Sequence, residues 1–206
     1  LLRELFKDVG LEYDSASTYV DSVKELIRHI SDNPKYQIIR IIHSVGQGAM
    51  YSERFLDREG NTDFLAVYDC GSDNSQKLRQ EITASFSDTD DVDLLFVSHL
   101  DNDHVNGIKK LKETVRSIKT IVLPLFSESQ KVIYLLLADD TLRQIILSPE
   151  VFFSGSNIVK VRSVSESLEN QDSLNLPLDD AKVLESCTPI RTNLNLDWCY
   201  IPYNYD

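Results

Sequence analysis

The chain has 206 residues, enough for one sizeable core or a core with a helical appendage. Its 33 acidic against 21 basic residues give a net charge of −12, which argues against a broad, sequence-independent grip on nucleic acid. Three scattered cysteines (Cys70, Cys187, Cys199) cannot make a disulfide scaffold, and no apolar run is long enough to span a membrane, so the expected setting is a reducing cytoplasm with no membrane partner.

Residues 1–35 read as a helical segment separate from the rest of the chain. Asp14-Ser15 offers a cap, Val20, Val23, Ile27 and Ile30 form one stripe, and Ser31-Asp32-Asn33-Pro34 stops the helix. This segment either packs on its own domain or ends a helical module that offers a docking surface to a protein partner.

Residues 36–206 form the second unit. Strands are predicted over Gln37–Val45, Ala49–Leu56 and Phe64–Tyr68, joined by a Gly46-Gln47-Gly48 turn and an Asp57-Arg58-Glu59-Gly60-Asn61 turn. The two glycines flanking Gln47 permit the positive φ that a tight strand connection needs. Asp73–Phe86 reads as a helix and Val92–Ser98 as a buried strand. Ile108, Leu111, Val115 and Ile118 at helical spacing then predict an amphipathic helix from Asn106. A strand over Thr120–Leu123 stops at Pro124. Ser127 with Gln130 makes a capping box that opens a helix through Ala138. A shorter helix, Thr141–Leu147, carries Leu and Ile for the core. Val151–Gly155 and Asn157–Val164 read as strands, and residues 165–180 as a polar, acidic loop. The tail from Arg191 to Tyr205 carries Trp198, Tyr200, Tyr203 and Tyr205. It reads as a strand, with stacking on nucleobases as the alternative.

The densest chemistry lies in His99-Leu100-Asp101-Asn102-Asp103-His104, four candidate metal ligands in six residues between a buried strand and a helix. Open α/β sheets gather ligands at such carboxyl ends. Side chains two apart on an extended chain point the same way, so His99 and Asp101 can converge on one ion, while Asp103 and His104 face a second. Imidazole and carboxylate suit zinc or manganese. The competing reading is that the histidines are ordinary loop residues and Asp103 an N-cap. His43, beside the glycine turn, reads as a core histidine or as one standing behind the ligands.

Ser98-His99-Leu-Asp101-Asn-Asp103-His104-Val-Asn-Gly107 resembles the HxHxDH signature loop of the metallo-β-lactamase fold. Val45-Gly46-Gln47-Gly48 resembles the VGQG turn of one branch, and Tyr68-Asp69-Cys70-Gly71 the D-x-G strand end that comes after it. With Asp101 in place of the second His, the pattern is most similar to the metallo-hydrolase domain of bacterial DNA-uptake channel proteins and their stand-alone relatives. The resemblance implies an α/β fold of the αββα sandwich kind, with its first half and part of its second present. It also implies Asp69 as a carboxylate behind the metal ligands and one or two ions of Zn or Mn. The implied function is that of a metal-dependent hydrolase acting on phosphodiesters, hence a nucleic-acid or nucleotide substrate. His99, Asp101, Asp103 and His104 would hold metal, with Asp103 also positioning the attacking water.

No histidine comes after His104, whereas the family draws further ligands from beyond the loop. Asp197, Cys199 and Asp206 are the nearest candidates to complete the set, and an excised or processed chain with an incomplete C-terminus is expected. The same gap motivates the alternative of a non-catalytic structural or assembly module of this fold.

Overall fold

A computed structural model describes residues 36–164, 183–194 and 196–204. The predicted N-terminal helix, the acidic 165–180 loop, Tyr205 and Asp206 lie outside the described residues.

Seven strands form one mixed sheet in chain order. β1 (Gln37–Ile42), β2 (Tyr51–Leu56) and β3 (Thr62–Tyr68) make an antiparallel meander. The connections then lengthen and the sheet turns parallel, with β4 (Asp91–Phe96), β5 (Ser117–Pro124), β6 (Asn157–Val161) and β7 (Val183–Leu184). The described crossovers carry α1 (Ser75–Ser85), α2 (Asn102–Val105), α3 (Ile108–Thr114), α4 (Glu128–Leu137), α5 (Asp140–Leu147) and α6 (Pro149–Phe152). A two-stranded antiparallel ribbon, β8 (Ile190–Arg191) with β9 (Cys199–Tyr200), stands apart from the sheet.

Both faces of the sheet are covered, because side chains alternate along each strand. Leu65, Val67, Leu95 and Ile121 point into a core completed by Leu78 and Ile82 of α1 and by Ile108 and Leu111 of α3. Their neighbours Phe64, Ala66, Leu94 and Val122 point the other way, under the ribbon. There Tyr200 stacks on Phe64 at 6.1 Å between ring centroids, and Trp198 meets Phe55 edge-on at 5.3 Å. Central strands buried on both faces are continuous apolar runs, as Phe64–Val67 is. Asp93 is one polar exception: its carboxylate accepts the Leu65 N–H at 2.9 Å and Lys119 Nζ at 2.7 Å. A sheet with helices on one face and the tail on the other is consistent with a metallo-β-lactamase-like fold.

Three predicted elements are corrected. The helix expected from Asn106 is α3, which starts at Ile108 after a separate short helix α2 within the cluster and ends at Thr114, and Ile118 belongs to β5. Its helical spacing is coincidental: the run Ser117–Pro124 is rich in β-branched residues, and Ile118 pairs with Val92 in the parallel ladder while staying buried. Val151–Gly155 is no strand; Pro149 sits at the first helical position, where its fixed φ suits a helix, and Val151 and Phe152 continue α6. The apolar content of the second short helix is only partly core. Leu142 and Ile145 of α5 are buried and Leu147 is exposed, while α4, opened by the expected Ser127–Gln130 capping box, buries no residue at all.

Candidate metal centre

The parallel register of β3 with β4 sets Tyr68 opposite Phe96, so the residues after each strand end emerge side by side. Asp69 comes directly after β3, and Ser98-His99 lie just past the end of β4. Asp69 adopts a left-handed backbone, φ +52, a conformation that Asp and Asn tolerate better than other side-chain-bearing residues. Its N–H stays in the sheet, donating to the Phe96 carbonyl at 2.8 Å. The carboxylate is thereby turned onto the loop.

That loop is held by close backbone crossings. Cys70 N–H donates to His104 O at 2.8 Å, Ala49 N–H to Asp103 O at 3.2 Å, and Gly71 N–H to Ala49 O at 3.0 Å. Only glycines fit here. A Cβ on Gly71 would lie 2.4 Å from the backbone of Asp103 and His104; one on Gly48 would lie 2.5 Å from Asp103 O. Gly46 and Gly48 have φ of +94 and +130, so the glycine turn is folded tightly, and Gly48 lies directly against the loop. Gly107 meets Cys70 and Leu78 in the same way. Cys70, wholly buried, is a packing residue, and burial pushes its thiol far above the ordinary range.

Hydrogen-bond bookkeeping fixes both loop histidines. Ionised Asp69 can only accept, and it accepts from Ser98 N–H at 2.7 Å, Ser98 Oγ–H at 2.6 Å and His104 Nδ1 at 2.9 Å. His104 must therefore carry its proton on Nδ1. Ser98 directs its own proton at Asp69, so its Oγ accepts from His99 Nδ1 at 2.8 Å. One buried carboxylate thus draws a proton onto both Nδ1 atoms, which in the neutral imidazoles leaves Nε2 as the electron-pair donor, on rings whose centroids are 3.8 Å apart. Ser98 is the residue that sequence reasoning missed. Its signal was its place just before His99, at the start of the ligand loop.

Asp101 and Asp103 are not consumed as caps. Asp101, not Asp103, is the N-cap residue of α2, yet its side chain makes no capping bond, and its Oδ2 lies 3.5 Å from His99 Nε2. Asp103 sits in the first turn of α2, half-buried, and its carboxylate has no hydrogen-bond or ion-pair partner among the described residues.

The other candidates lie elsewhere. His43 is buried, with Nδ1 on Glu81 Oε1 at 3.1 Å and Nε2 on Ser52 Oγ at 2.9 Å, and its ring packs on Phe86. It is a satisfied core histidine and does not stand behind the loop ligands, because both ring nitrogens are taken by other partners. Asp197 pairs with Arg191 at 2.8 Å and Cys199 is exposed on β9. Asp206 lies outside the described residues. Among the described residues no group of three or more His, Cys, Asp or Glu is arranged to hold a metal ion. Imidazole and carboxylate donors of the kind a divalent ion takes are present in His99, Asp101 and His104, but their convergence falls short of a closed site.

A cleft of about 270 Å³ opens beside Asp69 and Ser98, at the carboxyl ends of β3 to β6. Tyr68, Phe96, Tyr200 and Tyr203 line it. Tyr68 stacks on Phe96 at 4.7 Å, and Tyr200 donates its hydroxyl to Glu53 at 2.9 Å. Burial, with Glu53 nearby, drives the Tyr68 and Tyr200 hydroxyls well above the ordinary phenol range.

Residues 58–128 match the family model of the Metallo-beta-lactamase superfamily. That stretch runs from the turn before β3 to the start of α4 and holds Asp69, Ser98 and the whole loop; the glycine turn at 46–48 lies outside it. No curated protein and no solved structure matches the chain. The match points to metal-dependent hydrolysis as the general chemistry, with metal binding typical of it. No described helix is long and apolar enough to cross a membrane.

Proposed function

We propose that this chain is a metal-dependent hydrolase unit that cleaves phosphodiester bonds of a nucleic acid or nucleotide. One observation carries the reading: Asp69 and Ser98 hold both loop histidines by Nδ1, so that Nε2 of each neutral ring is the atom left to bind an ion. A merely polar loop has no need of a buried carboxylate that fixes two imidazole tautomers. His99, Asp101 and His104 would hold a zinc or manganese ion. Bound there, the ion would supply Lewis acidity toward a phosphoryl oxygen and lower the pKa of water.

The chain's own residues supply the rest. Asp103, whose carboxylate is unengaged among the described residues, would take a proton from the attacking water. Tyr68, Phe96 and Tyr203 give the neighbouring cleft a wall on which a nucleobase can rest. The HxDxDH and VGQG patterns favour a phosphodiester over a β-lactam or thioester.

A second reading, a non-catalytic structural or assembly module, is favoured by the shortfall of convergent donors. Turnover of bis(p-nitrophenyl) phosphate, a β-lactam and a thioester, each with and without added Mn²⁺ or Zn²⁺, separates the readings. Metal-stimulated phosphodiester hydrolysis that is lost in His104→Ala is expected. Equal background rates in wild type and variant would favour the module.

A further inference from the structure

We propose that the cavity between α1, α2, α3 and the start of α5 is a phosphate-binding site. It is a half-open groove of about 670 Å³, far more than a phosphate group fills, and therefore has room for much of whatever carries one. Arg79 of α1 and Lys109 and Lys110 of α3 border it. In this acidic chain most described cations sit on a carboxylate, as Arg54 does on Asp90, Arg116 on Asp91 and Lys119 on Asp93. Arg79, Lys109 and Lys110 make no ion pair and no side-chain hydrogen bond among the described residues, and all three border this one cavity.

Two carboxylates share the wall, and they set the selectivity. Asp139 is engaged as the N-cap of α5, accepting the Leu142 N–H at 2.8 Å. Glu113 faces the cavity unengaged. Three cations against two carboxylates suit a compact, multiply charged anion; an arginine fork with two ammonium groups is the donor set that phosphate takes. A planar anionic surface would meet the carboxylates as well.

The cavity also has a fixed relation to the loop. Asn102, on its wall, is the first residue of α2, and the next two residues are Asp103 and His104. A phosphate held here lies on the far flank of the helix that carries the loop. In the phosphodiester reading, on which this role rests, it is a phosphate remote from the scissile bond.

The test is fluorescence anisotropy of a short fluorescein-labelled single-stranded DNA at low salt with EDTA present, so that no metal contributes. The triple variant Arg79→Gln, Lys109→Gln, Lys110→Gln, with fold checked by circular dichroism, is expected to bind at least about tenfold more weakly. Its plot of log affinity against log salt should be shallower by about 2, since each phosphate contact on a single strand contributes roughly 0.7. Glu113→Gln should move the other way and tighten binding, which keeps the proposal testable if the triple variant misfolds. Competition with inorganic pyrophosphate identifies the source. Displacement means that a free phosphate compound suffices, persistence means that the site takes its phosphate from a polynucleotide backbone, and either supports the site. Unchanged affinity in both variants overturns it, as does binding to phosphatidylglycerol vesicles with none to DNA or pyrophosphate. Absence of hydrolysis alone counts against the hydrolase reading and leaves this result standing.

Discussion

Replacing Asp69 with Asn isolates the device at the centre of the loop. The substitution keeps the shape of the side chain and the left-handed backbone, which Asn adopts as readily as Asp. It removes the charge and one of two acceptor atoms, where the native carboxylate receives three hydrogen bonds at 2.6–2.9 Å. Bonds to a charged group are each worth roughly 1.5–3 kcal/mol, and one such loss is the expected fall in unfolding free energy. The larger consequence is chemical. If the Asn oxygen stays with the Ser98 N–H, its NH2 replaces the Oδ2 that accepted from both Ser98 Oγ–H and His104 Nδ1; the Ser98 hydroxyl must then turn its proton away, and His104 Nδ1 must give up its proton to accept. The proton moves to Nε2 and blocks the lone pair. Partners of this kind cost about 10–100-fold in metal affinity when lost. Two-bond nitrogen–proton NMR of the metal-free protein reads the tautomers directly. Both His99 and His104 should be protonated on Nδ1 in the wild type, and His104 should switch to Nε2 in the variant. A wild type with Nε2 already protonated, or a variant with an unchanged pattern, would refute the reasoning.

Gly71→Ala should destabilise the chain by about 3 kcal/mol or more, because its Cβ would lie 2.4 Å from the Asp103 and His104 backbone. Gly60→Ala, at φ +86 but with nothing within 4 Å, should cost only about 1–2 kcal/mol; urea denaturation of the pair compares packing with backbone strain. Tyr200→Phe leaves a buried Glu53 oxygen without its hydroxyl donor and should cost roughly 1–3 kcal/mol by the same assay. Burial, and then Glu53, push the Tyr51 hydroxyl from its ordinary value of 10.0 up to about 12. The unfolded chain ionises first, so this stabilisation is whole below pH 10 and is lost between pH 10 and about 12. Thermal melts across that window should show a steeper fall in the wild type than in Tyr51→Phe.

The strand-rich first half was legible because its punctuation is local. Gly46, Gly48 and Gly60 mark turns, Ser127 and Gln130 cap a helix, and the apolar run before His99 has no alternative to a buried strand. The errors fell where two periodicities overlapped. Ile118 satisfies the helical spacing from Ile108 and also the pleat of β5, and only its pairing with Val92 decides between them. Pro149 has the look of a stop in the sequence and is a helix start in the fold. At the loop, sequence spacing brought out the four ligand types but not the wiring beneath them. Ser98 is a commonplace residue whose role depends on Asp69, 29 positions away. His43 was ambiguous for the same reason, since Glu81 and Ser52 meet it only after the chain has folded.

The claim that the His99–His104 pair holds a divalent ion is tested most directly by equilibrium dialysis against Zn²⁺ or Mn²⁺ with elemental analysis. Wild type, His99→Ala and His104→Ala should be measured side by side, each confirmed folded by circular dichroism. Saturable binding in the wild type, lost or weakened at least about tenfold in either variant, is the predicted result. Failure of the folded wild type to retain metal, or equal retention by all three proteins, would contradict it.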